Sequence, residues 1–263
     1  MNRIRWQPLR RQLIEWSSLG FLVLITVGPV VMLLWLLLFT QTFAVSAITI
    51  VDARPQTEEK IRSVADSLKG KNILFLETSV LAQRMLRDIP QIKNVHIVRK
   101  IPGTVKIIIQ EKTPVLLLVS GGSYYFVDSA GIAYEAASLD SLPGVVLPTV
   151  KNSDLESTVT LGAPAVDESF VTFIEEVQKK IPDIAHAQVV EMNIPSLAAR
   201  EVHFLLDRNW RILMDTTRPA SGQLDVLKRL LEHTVSQEEQ QTLQYIDLRI
   251  ANRVYYKTKG LTQ

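Results

Sequence analysis

The chain has 263 residues, 47% of them hydrophobic, with 29 basic and 27 acidic side chains and no cysteine. That composition excludes disorder of the whole chain, and with it a disulfide framework, a thiolate metal or iron–sulfur centre and a cysteine nucleophile. A net charge of +2 gives no case for nucleic acid, and the length predicts one or two domains.

The positive charge is concentrated at one end. Arg3, Arg5, Arg10 and Arg11 stand against Glu15 alone in residues 1–16, and the rest of the chain balances at −1. From Trp16 to Val51 no residue is charged, and the apolar run is densest over residues 17–40. As a helix those 24 residues reach about 36 Å at ~1.5 Å each, enough for a hydrocarbon core of about 30 Å. Gly28-Pro29 predicts a kink, which a membrane helix tolerates. Trp16 and Trp35 suit the two interfaces. The arginines before the span predict a cytoplasmic N-terminus (residues 1–16), with a linker over 41–47 and all that follows outside the cytoplasm. The competing reading is a cleaved signal peptide ending near Val45-Ser46-Ala47. The apolar run is longer than the roughly 7–15 residues of a signal core, so an uncleaved anchor is expected.

Residues 48–113 read as strand, helix, helix, strand, strand. Ala47–Val51 is a short β-branched run. Thr57 is an expected N-cap, with Glu58 and Glu59 at the positive end of a helix. Ile61, Val64, Ala65 and Leu68 form its apolar stripe, and Gly70 its stop. A second helix is predicted from Thr78 or Ser79, with Leu81, Ala82, Met85, Leu86 and Ile89 on one face and Pro90 at its end. Val95–Val98 is the next strand, Lys100–Gly103 a turn, and Val105, Ile107 and Ile109 mark the last strand. Two helices on a three-stranded sheet bury all these stripes together.

Residues 114–257 predict a β-rich domain with two helices packed on a mainly antiparallel sheet, followed by a tail at 258–263. Strands are expected at Val115–Val119, Tyr124–Val127, Ile132–Tyr134, Leu142–Leu147, Gln188–Met192, Glu201–Leu206 and Trp210–Met214. Gly121-Gly122 and Asp128–Gly131 are turns. Phe170, Phe173, Ile174, Val177 and Ile181 mark one helix; Leu224, Leu227, Leu231 and Val235, with Leu230 beside them, mark the other. Gln244–Lys257 is the closing extended segment, with Ile246, Leu248 and Ile250 on one side and Asp247 and Arg249 on the other. The overall expectation is an α+β protein.

No catalytic constellation emerges. There is no G-x-S-x-G, phosphate-binding glycine loop or H-x-x-x-H pair, and His96, His186, His203 and His233 are scattered. Ser123 and Asp128 read as turn residues, and Asp247 with Arg249 as a surface pair. A pair of carboxylates distant in sequence stays open as an enzymatic alternative. No cofactor or metal is expected.

A resemblance then adds to these readings. Leu74–Glu77 between the two helices, Ile92–Val95, Arg99–Val105 and Gln110–Pro114 follow one another as they do in the POTRA domain of the FtsQ/DivIB family of bacterial cell-division proteins. Lys100 and Pro102 match the family's basic residue and proline before the last strand; Glu111 and Pro114 match its Glu-x-x-Pro. Val127-Asp128 with Gly131, and Tyr245–Arg249, match later family segments. The resemblance implies a non-catalytic, single-pass membrane scaffold of the division septum, with the POTRA domain (β-α-α-β-β) aiding recruitment. The β-domain would hold the FtsB/FtsL pair and so act on the septal peptidoglycan synthase. It puts docking on the stretch after Arg249: Ile250, Ala251, Asn252, Arg253, Val254, Tyr255, Tyr256 and Lys257. A partner segment would be added there as a strand. Arg200 is a weaker candidate for an acidic partner residue. The plainer alternative is that Val254 and one tyrosine fill the core, since alternation turns only one of Tyr255 and Tyr256 inward. Two other functions remain as alternatives: a membrane-anchored peptidoglycan-modifying enzyme and a POTRA-type chaperone of unfolded clients.

Overall fold

The computed structural model describes residues 24–37, 41–137 and 147–259. Helix α1 covers residues 24–37 and runs through Gly28-Pro29 without a break. Its apolar side chains are exposed at successive positions, including Met32, Leu33, Leu34 and Trp35. Among the described residues no helix is long and apolar enough to cross a membrane. The rest of the expected span, and the arginine-rich start, lie outside the described residues.

The chain divides into two compact units, Met1–Leu86 with Asn94–Gln110, and Arg87–Lys93 with Glu111–Gln263. The first carries the β-α-α-β-β pattern. Its elements are β1 (Ala47–Val51), α2 (Pro55–Ala65), α3 (Thr78–Asp88), β2 (Ile92–Lys100) and β3 (Thr104–Glu111). The sheet order is β1-β3-β2, and β1 runs parallel to β3 from Ala47 opposite Thr104 to Val51 opposite Ile108. Ile61 and Ala65 of α2, Met85 of α3, and Val105 and Ile107 of β3 are fully buried. Burying each of the larger side chains contributes about 1.5–3 kcal/mol. Thr57 is not the N-cap. The N-cap is Arg54, three residues earlier, and Pro55 occupies the first turn, where a fixed φ and a missing N–H cost nothing.

The second unit is built on a nine-stranded sheet ordered β12-β11-β10-β9-β8-β7-β4-β5-β6. In chain order these are β4 (Leu116–Ser120), β5 (Ser123–Val127), β6 (Ala133–Ala137), β7 (Thr149–Asn152), β8 (Val189–Ile194), β9 (Glu201–Leu206), β10 (Arg211–Asp215), β11 (Leu243–Asp247) and β12 (Tyr255–Thr258). Antiparallel pairs predominate, with parallel pairing at β4–β7, β7–β8 and β10–β11. Helices α4 (Glu168–Ala185) and α5 (Ala220–His233) lie side by side and seal one core with the sheet. The predicted stripes supply it: Phe170, Phe173, Ile174, Val177 and Ile181 from α4, and Leu224, Leu227 and Leu231 from α5 are all buried. The segment expected at Leu142–Leu147 lies, except for Leu147, outside the described residues. The sequence reading omits β7 and a short helix, α6 (Gln237–Thr242).

The Asp128–Gly131 turn forms as predicted. Asp128 accepts the Ala130 and Ile132 amides at 3.0 Å each. It also pairs with Lys112 at 2.8 Å in a largely enclosed site, and the Lys112 ammonium stands 5.8 Å from the Tyr134 ring centre. Gly131 has φ +78°, and a Cβ there would lie 2.0 Å from the Val166 carbonyl oxygen.

Candidate partner-docking edge

The closing segment is two strands and a turn. β11 runs parallel to β10 and is followed by Leu248–Val254, which reverses the chain through Asn252 at φ +62°. β12 returns antiparallel to β11, Asp247 facing Tyr255 and Ile246 facing Tyr256. The continuous strand expected over Ile250–Lys257 is therefore corrected. Ile250–Val254 form the reversal, and the strand is the four residues Tyr255–Thr258. Asparagine tolerates the left-handed conformation that this turn demands.

Side chains on both faces of the sheet fix the reversal. Arg249 binds Asp247 in a fork, with Nε–Oδ1 2.9 Å and Nη2–Oδ2 2.6 Å, and its Nη1 reaches Glu201 Oε2 on β9 at 2.7 Å. The Asp247 Oδ1 also accepts the Arg249 amide at 3.0 Å. Hydrogen bonding from Arg249 holds the Asp247 carboxyl below the usual carboxylate range, against the opposing effect of burial. The same bond from Asp247 raises the Arg249 guanidinium above its ordinary value. His203 Nε2 lies 3.2 Å from the other oxygen of Glu201. On the helical side Arg218 donates to the Leu248 carbonyl and pairs with Asp215 at 3.0 Å. Burial disfavours the Asp215 charge, but hydrogen bonds from Thr217 and Arg218 outweigh it and bring its pKa below the usual value. Gln223, buried in α5, bonds the Asp215 amide and carbonyl at 3.0 and 2.8 Å. Ion pairs and amide bonds on both faces thus set where the chain turns into β12.

Among the described residues β12 pairs with β11 alone and is one of the two edge strands of this sheet; the other, β6, is partly covered where Ala133 exchanges backbone bonds with Ala163 and Gly162. Lys259 N–H donates to the Thr242 carbonyl at 2.7 Å, on the β11 side. Alternation along an extended chain then turns the N–H and C=O groups of Tyr256 and Thr258 outward. Tyr255, Tyr256 and Lys257 are exposed, so neither tyrosine fills the core. Val254 is half-buried and packs against it. Ile250, Asn252, Arg253 and Val254 line a groove of about 490 Å³ with Arg218, Val226 and Arg229. Ala251 is exposed at the tip of the turn.

Arg200 is not part of this edge. It precedes β9, three strands in from β12, or ~14 Å at about 4.8 Å per strand. It lines a different cavity, of about 360 Å³, with Asp167, Ser169 and Thr217. Sequence reasoning did not anticipate Glu201, Arg218 or Gln223, whose roles depend on contacts that no spacing announces. Among the described residues no group of three or more His, Asp or Glu side chains is placed to hold a metal ion.

Residues 43–112 match the family model described as "POTRA domain, FtsQ-type". The chain is 27% identical over 135 residues to the cell division protein DivIB of Clostridium acetobutylicum, covering 48% of this chain and 53% of that one. It is 27% identical over 134 residues to the cell division protein FtsQ of Streptomyces collinus, covering 51% and 49%. It is 30% identical over 87 residues to the FtsQ of Streptomyces griseus, covering 33% and 41%. The chain thus spans about half the length of the curated relatives it matches.

Proposed function

Because the chain belongs to the FtsQ/DivIB family of cell-division proteins, we propose that it is a non-catalytic, membrane-anchored scaffold of the division machinery whose β12 edge takes up a partner strand. The observation that carries this is the outermost position of β12, with backbone donors and acceptors directed away from the sheet. Main-chain bonds supply affinity there, and contacts of alternate side chains supply selectivity. Exposed Tyr255 and Tyr256 are rigid amphipathic anchors. The groove next to the turn carries Arg229 and Arg253, besides Arg218 that Asp215 already pairs, and no carboxylate lines it, which favours an acidic partner segment. The partners of this reading are FtsB- and FtsL-like single-span proteins, and through them the septal peptidoglycan synthase.

The anchor is residues 17–40, with the N-terminus in the cytoplasm and the two folded units on the far side of the inner membrane. Supporting it are the arginine excess before the span and the outward-facing apolar side chains of α1. A water-soluble helix that is apolar all round would be buried. Confining scaffold and partners to one membrane raises their effective concentration, so a short docking strand suffices.

The test is Tyr256→Pro, with Thr258→Pro alongside. Each removes an outward N–H that the fold itself does not use, which an edge strand tolerates. Co-purification of an FtsB/FtsL-like pair should fall by at least about tenfold, the equivalent of ~1.4 kcal/mol, while thermal unfolding stays within a few degrees of wild type. Undiminished capture by both folded variants refutes strand addition.

A further inference from the structure

The end of the POTRA-type unit from which α1 emerges carries exposed apolar and basic side chains that its own fold does not use. Asn72 joins the two parts. Its Nδ2 donates to the carbonyl of Leu37, the last described residue of α1 (2.8 Å), and its Oδ1 accepts the Leu74 amide (2.9 Å), capping the 3-10 turn Ile73–Phe75. The chain leaving α1 then threads between two loops. Ala44 bridges to Asn72, and Val45 exchanges backbone bonds with Lys71 and Gly70. On the other side Ser46 N–H donates to the Gly103 carbonyl at 2.8 Å, and a Cβ at Gly103 would stand 2.6 Å from the Ala44 oxygen. Arg99 ties the loops together through the Leu74 carbonyl at 3.0 Å.

Each loop ends in an exposed apolar side chain beside a lysine. Phe75 is 63% and Ile101 65% exposed, with exposed Lys71 and Lys100 nearby. Val80, at 56%, extends the first lip. These are large side chains to leave in water, and they gather where the chain emerges from its apolar helix. Trp35, two residues before Leu37, is 59% exposed and is the residue type that marks a membrane interface. Along the 3-10 turn Phe75 lies about 6 Å from Asn72, at ~2 Å per residue. The headgroup layer on each side of a bilayer is roughly 5–8 Å deep.

We propose that this end of the unit rests on the bilayer that α1 enters, with Phe75 and Ile101 dipping into the interfacial layer and Lys71 and Lys100 on its phosphates. The occupant of the patch is the lipid surface, because the Asn72–Leu37 bond holds the first loop at α1 and Arg99 ties the second to it, and Lys71 and Lys100 outnumber the exposed Glu77 of the first lip, which suits anionic headgroups. The inference rests on α1 being part of the membrane anchor. It adds that the first unit is held against the membrane and does not swing freely on its linker.

The chain has no cysteine, so single nitroxide labels can be placed without other changes. The full chain is reconstituted into vesicles of phosphatidylethanolamine with a minority of phosphatidylglycerol and floated on a density gradient. Labels are carried at Phe75→Cys, at Ile101→Cys and, as a distant reference, at Gln56→Cys at the opposite end of the unit. Val80→Cys replaces the first if that label disturbs the turn. Both loop labels are expected to collide several-fold more with oxygen, relative to a water-soluble nickel chelate, than the Gln56 label does. A floated chain whose loop labels match the Gln56 label overturns the proposal and leaves the anchor standing. A chain that does not float with the vesicles overturns both.

Discussion

Arg249 braces the proposed docking edge from outside it. Its fork to Asp247 and its reach to Glu201 hold the end of β11 against β9 across β10. Asp247→Asn should cost about 1–3 kcal/mol in chemical denaturation at neutral pH, the usual consequence of weakening a partly buried charged hydrogen bond. The sign of its pH dependence follows from the lowered pKa of the carboxyl. The unfolded carboxyl titrates near 3.9; the folded one titrates lower. The stabilisation is therefore complete above that unfolded value and is lost as pH falls through the folded one. The denaturation midpoint of Asp247→Asn should accordingly fall less steeply than wild type between neutral and acid pH. Gly131 is a second sensitive position. Gly131→Ala demands a left-handed backbone costing about 1–2 kcal/mol and drives a methyl group into the Val166 carbonyl. A thermal midpoint unchanged by this substitution would contradict the packing described.

At the scale of the element, regular alternation was legible and interruptions were not. Ala47–Val51 and Glu201–Leu206 form with the bounds that their β-branched and alternating residues predict. The α4 stripe is buried as its spacing demands. β7 escaped notice because Thr149–Asn152 is four residues long and places only one apolar side chain, Val150, in the core. The break between β11 and β12 was hidden because Ala251-Asn252 lacks the glycine that usually announces a reversal. Of the candidate site, the exposed tyrosines and the half-buried Val254 could be suspected from sequence. Glu201, 48 positions from its partner Arg249, could not. The short helix α6 did carry a signal. Ser236 and Glu239 form a capping box, Oγ accepting the Glu239 amide at 3.2 Å and Oε2 the Ser236 amide at 2.9 Å. Ser236→Ala should lower stability by about 1 kcal/mol. Hydrogen exchange should localise that loss to residues 237–242, the segment leading into β11.

For the whole molecule, the proposed function separates attachment from recognition. In that proposal the span supplies attachment, and the C-terminal strand supplies recognition. A chain lacking residues 1–40 should no longer float with vesicles, yet should keep its partner affinity in solution. A chain carrying Tyr256→Pro should show the reverse. A reporter fused after Gln263 should be active only outside the cytoplasm, which checks the orientation drawn from the arginines.

The brevity of β12 has a consequence of its own. Exposed margins of long, flat sheets invite identical copies to zip together into fibrils. Here only Tyr256 and Thr258 present main-chain groups to a newcomer, too short a template for open-ended polymerisation. Adhesion must be completed by side chains in the neighbouring arginine-lined groove, so only a ligand that fits both features gains a firm hold. On the proposed reading, the β12 margin can take a partner strand without serving as a template for fibrils.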